Sequence, residues 1–255
     1  MTTRDDAFPA GTPSWVDLSV ADVPAARIFY EQLFGWQIQQ PQEQFGGYAN
    51  CAKDGRLVCG LAPTMAAEQP NAWTTYIGVA DAAATMAQVR AHGGTVVAEP
   101  MAVMQLGTMA VALDPAGAPF GVWQPGTHTG FQRYNESGTV SWNEYRGADL
   151  AAAKAFYGAV FGWDYNDIST EGWLYSTFIA TDGHEAGGLT QVADGDVGTP
   201  WLVYFSVDSA DDTIDQLITL GGTVLSPAAD TPYGRMATVA DNQNATFAIV
   251  QPPTG

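Results

Sequence analysis

The most constraining feature of this sequence is that its second half repeats its first. The offset between equivalent positions is 127 residues near the start of each half and 128 residues in the middle. So many aligned positions across a half-chain indicate an internal duplication, which fixes the architecture before any single residue is interpreted. The repeated positions include Trp15 and Trp142, Phe29-Tyr30 and Phe156-Tyr157, Phe34-Gly35-Trp36 and Phe161-Gly162-Trp163, and Gly93-Gly94-Thr95-Val96 and Gly221-Gly222-Thr223-Val224.

The duplication divides the chain into four parts. We expect residues 1–11 to be a flexible tail and residues 12–126 to form the first domain. Residues 127–138 have the glycine and polar content of a linker, and residues 139–255 form the second domain. At 255 residues the length is enough for two domains, each with its own core.

Each half has the same order of secondary-structure patterns. An alternating strand is followed by an Asp that can cap a helix, Asp22 or Asp149, and that helix ends at Gly35 or Gly162. A β-meander comes next, then a second strand and helix, and three further short strands. The pattern predicts an α+β fold of four βαβββ modules, two in each half.

These motifs resemble the vicinal oxygen chelate superfamily, which contains glyoxalases, bleomycin-resistance proteins and extradiol dioxygenases. The resemblance lies in DLSVADVPAARIFYEQLFGW, GGTVV and DPAGAPFGVWQP, and it covers residues 13–253. With its WVDL and WNEY openings, the tandem arrangement is similar to two-domain actinobacterial members labelled hydroxylase-like or antigen-like. It implies two tandem glyoxalase-like domains whose curved mixed sheets enclose clefts.

The resemblance also implies where metal ligands would stand, and none of those positions carries one. A divalent cation of this class needs several nitrogen or oxygen donors that converge on it. We therefore expect a metal-independent protein with no cofactor, and a metal enzyme with non-standard ligands remains an alternative. The equivalent positions hold Trp15, Thr74 and Gly121 in the first half, and Trp142, Leu202 and Ala248 in the second.

The three histidines do not form a ligand set either. His92 falls beside a helix end, His128 in the linker, and His184 just after a hairpin turn. We expect all three to be ordinary surface or capping residues.

Charge and hydropathy exclude several partners. The chain has 9 basic and 27 acidic residues and a net charge of −18, which repels nucleic acid and anionic membranes. No apolar run is long enough to cross a membrane, and the first residues lack a secretion signal. These features predict a soluble, cytoplasmic protein.

Because the duplication supplies the pairing that single-domain relatives obtain by dimerising, a monomer is expected, with a homodimer as the alternative.

The two cysteines are predicted to stay reduced. An Asp54-Gly55 hairpin turn of two residues would place Cys51 opposite Val58 and Cys59 opposite Asn50. Side chains alternate along a strand, so the two thiols would lie on opposite faces of the sheet.

Alternation also predicts which side chains face the clefts. In each opening strand the apolar set should pack against helices, which leaves Trp15 and Asp17, or Trp142, Glu144 and Arg146, facing inward. The same parity places Tyr76 and Tyr204 inside. We expect some of the meander aromatics, Tyr48, Trp173 and Tyr175, to reach the clefts, and Tyr233 and Arg235 to stand on a loop at the cleft mouth.

Several roles remain open for these residues. Trp15 and Trp142 fit either core packing or ligand stacking, and Arg235 fits either a surface position or a ligand anchor. Asp17 and Glu144 fit either a structural hydrogen-bonding role or that of a general base, and Arg146 fits an ion pair with Glu144.

The leading hypothesis is a metal-independent pocket protein for a small aromatic or polycyclic molecule, acting in secondary metabolism or resistance. The second is a cofactorless lyase, isomerase or hydratase that uses Glu144 or Asp17 as general base. The third is a structural or interaction protein whose clefts are closed by packing.

Overall fold

Two eight-stranded mixed sheets, one from each half of the chain, form the protein in a computed structural model. It describes residues 2–66, 68–193 and 198–253. Neither sheet closes into a barrel, and the four helices pack against the strands of the two sheets. The α+β class and the four βαβββ modules predicted from the sequence are confirmed.

The first half contains the following elements in chain order. They are β1 (Thr2–Thr3), β2 (Pro13–Val20), α1 (Val23–Phe34), β3 (Gln37–Ile38), a 3₁₀ turn (Glu43–Phe45), β4 (Ala49–Lys53), β5 (Arg56–Pro63), β6 (Ala72–Gly78), α2 (Ala82–Ala91), β7 (Thr95–Val103), β8 (Gly107–Leu113) and β9 (Pro119–Pro125).

The second half repeats this order after a short linking strand. Its elements are β10 (Arg133–Tyr134), β11 (Val140–Gly147), α3 (Leu150–Phe161), β12 (Asp164–Asp167), β13 (Tyr175–Ile179), β14 (Glu185–Gln191), β15 (Trp201–Ser206), α4 (Ala210–Thr219), β16 (Thr223–Thr231), β17 (Gly234–Ala240) and β18 (Thr246–Gln251).

The two sheets have equivalent topologies. The first has the strand order β3-β4-β5-β2-β6-β9-β8-β7, and the second β12-β13-β14-β11-β15-β18-β17-β16. In each, the two modules meet at a central antiparallel pair, β2 with β6 or β11 with β15. The opening strand of each half therefore lies in the middle of its sheet.

The helix ends follow the sequence signals. The carboxylates of Asp22 and Asp149 accept backbone N–H bonds from Ala25 and Ala152, at 3.0 and 2.9 Å. Such bonds satisfy amides that have no partner within the first helical turn. The glycines Gly35 and Gly162 end the same helices with φ of 69° and 72°, a left-handed conformation that favours glycine.

The hydrophobic cores are shared between the halves, which differs from the expectation of one core per half. One cluster combines Phe29 and Phe34 of α1 with Phe205 and Phe247 of the second sheet. The other combines Ile77 and Met86 of the first half with aromatic residues of α3. Each half alone would leave part of the apolar face of its first helix exposed to water.

Two reciprocal hydrogen bonds lock this arrangement. The Tyr30 hydroxyl on α1 donates to Asp241 at 3.0 Å, and the Tyr157 hydroxyl on α3 donates to Asp114 at 3.1 Å. Both aspartates are buried and also accept two backbone N–H bonds within their own turns. The Phe-Tyr motif of each half thus meets the aspartate turn of the other half, which is Asp-Pro-Ala-Gly from Asp114 and Asp-Asn-Gln-Asn from Asp241.

The N-terminal segment, which the sequence suggested to be a flexible tail, has defined partners in the structure. β1 pairs with β10, and Phe8 packs on Phe131 and Tyr134 with ring centroids 6.0 and 5.3 Å apart. The backbone carbonyl of Gly11 accepts a hydrogen bond from the Trp163 indole at 2.6 Å. Residues 2–11 therefore contact both the linker and the second half.

The predicted cysteine register is wrong. Lys53 faces Arg56 as expected, but a β-bulge then shifts the ladder so that Cys51 lies directly opposite Cys59. The extra residue is Val58, and it cancels the alternation on which the prediction depended. Both thiols are buried and free.

Within the described part of the chain, no helix combines the length and the apolar character needed to cross a membrane.

Candidate functional site

Each sheet has a face that points away from the helices, and we call these faces the first cleft and the second cleft. In β2 the core-facing residues are Val16, Leu18 and Val20, so the alternate residues face the first cleft. A β-bulge interrupts the central pair at the start of both β2 and β11. Such bulges re-aim side chains, and here they precede Trp15 and Trp142.

The first cleft contains a hydrogen-bonded cluster around Asp17. One oxygen of this carboxylate accepts bonds from the Trp15 indole at 2.8 Å and from the Tyr48 hydroxyl at 2.7 Å. Tyr76 also contributes a hydrogen bond. Burial raises the pKa of Asp17 from its usual 3.8 to about 6, and these hydrogen bonds oppose the increase.

Glycine is required beside this cluster. A Cβ atom added at Gly60 would lie 2.0 Å from the Tyr48 hydroxyl and 2.1 Å from the Asp17 carboxylate. A Cβ added at Gly121 would lie 2.2 Å from the ring of Tyr76. The aromatic rings therefore rest directly on the strand backbone, an approach that any larger residue would prevent.

The linker covers the first cleft. His128 contacts Trp15 edge to face with ring centroids 4.4 Å apart, and Phe131 contacts the same indole at 5.6 Å. Its backbone is tied down by bonds from Trp123 to the His128 carbonyl and from Phe131 N–H to Ser14. Trp15 is consequently only 5% exposed, which favours core packing over ligand stacking for this residue.

His128 is not the ordinary surface residue expected from the sequence. Desolvation lowers the pKa of its imidazole from 6.5 to about 4, so the ring is neutral at physiological pH. Its Nδ1 accepts a hydrogen bond from Gly130 N–H at 3.2 Å, which fits the neutral form. The other two histidines lie at the surface, and the His92 ring nitrogen lies 2.9 Å from the Gln88 carbonyl at the end of α2.

Stability should depend on pH through Asp17 in a predictable direction. Because its pKa is raised in the folded state, the stability that Asp17 contributes is present at low pH and is lost as pH rises through about 6. We expect the unfolding free energy of the native protein to fall relative to that of Asp17→Asn between about pH 4 and pH 6.5. Denaturant unfolding at several pH values measures this difference, and a constant value would contradict the prediction.

The second cleft contains the equivalent cluster with Glu144 in place of Asp17. The Tyr204 hydroxyl donates to the Glu144 carboxylate at 3.1 Å, and the Trp142 indole donates to the Tyr175 hydroxyl at 3.0 Å. Burial raises the pKa of Glu144, while hydrogen bonds from the two tyrosines and the charge of Arg146 oppose the increase. A buried carboxyl with a raised pKa is a candidate for proton transfer to or from a bound molecule.

The aromatic residues of the second cleft are more exposed than Trp15. Trp142 is only partly buried, and it borders a cavity of about 410 Å³ at the start of β11 that is lined by the N-terminal segment and the linker but not by Glu144 or Tyr175. Trp173 stacks on Tyr175 with ring centroids 4.7 Å apart and is 38% exposed. Tyr233 is 56% exposed and close enough to Tyr175 to influence its pKa. These rings form an aromatic rim beside Glu144.

Arg146 and Arg235 differ from their expected roles. Arg146 lies on the cleft face of β11 but forms no ion pair with Glu144 among the described residues. Arg235 is not at the cleft mouth, because it shares the helix-facing side of β17 with Ala237 and Val239. There it pairs with Asp211 of α4 at 2.9 Å and with Asp230 at 3.1 Å.

The residues at the metal-ligand positions of the resemblance do not fit a divalent cation. In both clefts these positions carry indole, methyl, hydroxyl or hydrogen side chains rather than imidazoles and carboxylates. Among the described residues, no group of three or more His, Cys, Asp and Glu side chains is close enough to hold a metal ion. No chemical step is therefore assigned to a metal here.

Sequence reasoning missed Gly60, Gly188, His128 and Phe131 as parts of the two sites. Tyr175 and Gly188 repeat Tyr48 and Gly60 at offsets of 127 and 128, so the duplication itself carried that information. A Cβ added at Gly188 would lie 2.0 Å from the Tyr175 hydroxyl, as at Gly60. The cover formed by His128 and Phe131 depends on long-range contacts that no local pattern indicates.

Paired βαβββ modules with a cleft on each sheet define the class of this protein. The family model of the Glyoxalase/Bleomycin resistance protein/Dioxygenase superfamily matches residues 139–249, and that of the Glyoxalase-like domain matches residues 15–123. The chain belongs to this superfamily, as its sequence motifs suggested.

Two similar proteins align over almost the whole chain. The protein named "Putative glyoxylase CFP32" from Mycobacterium tuberculosis is 36% identical over 252 residues, covering 96% of both chains. The protein named "Anthracycline biosynthesis protein DnrV" from Streptomyces peucetius is 35% identical over 259 residues, covering 96% of this chain and 94% of the relative.

Solved structures show the same fold at low sequence identity. The Mn(II)-bound glyoxalase from Novosphingobium aromaticivorans matches with a TM-score of 0.67 at 15% identity, covering 95% of this chain and 82% of the other. The 2,2',3-trihydroxybiphenyl 1,2-dioxygenase from Sphingomonas wittichii matches with a TM-score of 0.63 at 16% identity, covering 95% and 90%. At this level of identity the likeness concerns the fold alone.

Proposed function

We propose that the second cleft binds a small aromatic or polycyclic molecule of secondary metabolism, and that it does so without a metal. The observation that carries this proposal is the aromatic rim of Trp142, Trp173, Tyr175 and Tyr233 beside Glu144. Flat conjugated ligands stack on such rings, and concave aromatic sites with a few placed polar groups are typical of small-molecule pockets. The name of the Streptomyces relative, an anthracycline biosynthesis protein, supports a polycyclic ligand.

The first cleft has a structural role in this proposal. Its carboxylate already has hydrogen-bond partners from its own aromatic residues, and His128 and Phe131 occupy the space above Trp15. The duplication would then have produced one covered cluster that stabilises the fold and one open cluster that binds.

Ligand binding can be tested by a screen of planar probes, such as hydroxylated anthraquinones and naphthoquinones, followed by quenching of tryptophan fluorescence. We expect saturable quenching by at least one probe, and Trp142→Leu should weaken that binding at least about tenfold because stacking area and a hydrogen bond are lost. The matched variant Trp15→Leu should leave the affinity within about twofold. Equal effects of the two variants, or no saturable quenching by any probe, would contradict the proposal.

Glu144 favours a second candidate function, a cofactorless lyase, isomerase or hydratase. This carboxyl is buried, its pKa is raised, and it accepts a bond from Tyr204 within the open cleft, so it can serve as a general base. In that case Glu144→Gln should retain ligand binding but lose turnover of a bound substrate by at least about a hundredfold. Asp17→Asn is the control, because Asp17 holds the equivalent position in the first cleft. Unchanged turnover in Glu144→Gln would exclude the general-base role.

A further inference from the structure

Arg146 is exceptional among the basic residues of this protein. The chain has nine Lys and Arg residues, and the structure describes all of them. In each of the other eight, the charged group forms an ion pair with a carboxylate or donates a hydrogen bond to a carbonyl oxygen. Among the described residues, the Arg146 guanidinium alone has no hydrogen bond and no ion pair.

The position of this unpaired cation is within the second cleft. Arg146 follows Glu144 by two residues along β11, so both side chains point to the same face of the sheet. Burial raises the pKa of both Glu144 and Tyr204, and the charge of Arg146 opposes the increase in each, which places Arg146 near the carboxylate cluster. The equivalent residue of the first half is Ser19, so the covered cleft has no counterpart of this charge.

A guanidinium presents several N–H donors in a planar fork that matches a carboxylate. Arg146 is only partly buried and its donors are not engaged by another described residue, so they are available to an acceptor on a ligand. A single guanidinium balances one negative charge, and the neighbouring Glu144 opposes a second. These properties select a monoanion over a phosphate ester or a dicarboxylate.

We propose that the ligand of the second cleft is a planar aromatic monoanion, a carboxylate or ionised phenol, and that Arg146 binds its charged group. This inference rests on the proposed function, because it names the chemical class of ligand for the same cleft. The aromatic rim holds the flat body of the molecule, and Arg146 fixes its orientation. The net charge of −18 disfavours general adsorption of anions, so any preference for an anion reports a local interaction.

The test compares two probes of the same shape, 2-anthracenecarboxylate and the neutral 2-anthracenecarboxamide, by isothermal titration calorimetry on the full chain. We expect the carboxylate to bind at least about tenfold more tightly than the amide, as a charged hydrogen bond typically provides.

Variants assign the preference to one residue. Arg146→Gln should reduce the preference for the carboxylate to about twofold or less, and Arg146→Lys should restore part of it because the charge remains. Arg90→Gln is the matched control, since Arg90 pairs with Glu99 at the surface and its loss changes the net charge equally. It should retain the full preference, and thermal unfolding checks that each variant is folded.

The outcomes separate this inference from the function on which it rests. If both probes bind equally well, or if Arg146→Gln keeps the preference, the assignment of an anionic ligand is overturned while aromatic binding stands. If neither probe binds, nor any quinone of the fluorescence screen, the proposed function fails and this inference with it.

Discussion

Asp114→Ala is expected to lower the free energy of unfolding by about 3–5 kcal/mol, because three donors, two of them buried, lose their acceptor at once. These donors are the backbone N–H groups of Ala116 and Ala118, at 2.9 and 2.8 Å, and the hydroxyl of Tyr157, at 3.1 Å. A loss of this size is a large fraction of the ~5–15 kcal/mol that stabilises a typical domain. Asp241→Ala removes the equivalent contacts, including that with Tyr30, and should have a similar effect.

The measurement is chemical denaturation followed by far-UV circular dichroism and tryptophan fluorescence. Tyr157→Phe should cost less, about 2–3 kcal/mol, since it removes two hydrogen bonds, one to Asp114 and one from the Trp201 indole, but leaves the backbone amides their acceptor. Asp149→Ala is the control, because this exposed aspartate caps α3 through one backbone bond and typically contributes ~1 kcal/mol. Equal losses for Asp114→Ala and Asp149→Ala would contradict the structural role assigned to the buried turn.

The same contacts predict how the protein unfolds. Each core cluster takes residues from both halves, so neither half retains a complete core when the other is unfolded. We expect the two spectroscopic signals to report one coincident transition for the native protein. Two separate transitions would mean that the halves are independent domains, as the sequence boundaries alone suggested.

Periodic patterns predicted the fold and most of the residues that face the clefts. Alternation along β2 and β11 placed Trp15, Asp17, Trp142 and Glu144 on one face because apolar neighbours fixed the opposite face on the core. The same rule failed at Cys59, where the bulge at Val58 changed the parity by one residue. Local pattern rules assume an unbroken ladder, and a bulge has no simple signature in a single sequence.

Contacts between distant segments were beyond those rules. The apolar stripe of α1 would fit the sheet of either half equally well, so the sharing of cores was not readable from hydrophobic periodicity. Arg235 is a different case. The alternation of Ala237 and Val239 already indicated that it faces the helices, but we assigned it to a loop at the cleft mouth.

Gly188→Ala should reduce ligand binding in the second cleft about 10- to 100-fold, because the new methyl group takes the place of the Tyr175 ring. The added Cβ would lie 2.0 Å from the Tyr175 hydroxyl and 2.5 Å from its Cζ, so the ring must move. Its displacement removes the surface on which Trp173 stacks and the acceptor of the Trp142 indole. The affinity for a probe identified by fluorescence quenching measures this loss.

Gly60→Ala is the matched control for this substitution. The same clash occurs there with Tyr48 and with the Asp17 carboxylate, but in the first cleft rather than in the second. We therefore expect Gly60→Ala to lower stability by about 2–4 kcal/mol and to leave ligand affinity within about twofold. The two equivalent glycines would thus have different effects, one on binding and one on folding.

A double substitution tests whether the clash itself is the cause. In a Tyr175→Leu background the ring is already gone, so adding Gly188→Ala should cause little further loss of affinity. A large additional loss would mean that Gly188 acts through the backbone of β14 rather than through Tyr175. If instead Gly60→Ala weakened binding as strongly as Gly188→Ala, the first cleft would take part in ligand binding, and the assignment of one structural and one binding cluster would be wrong.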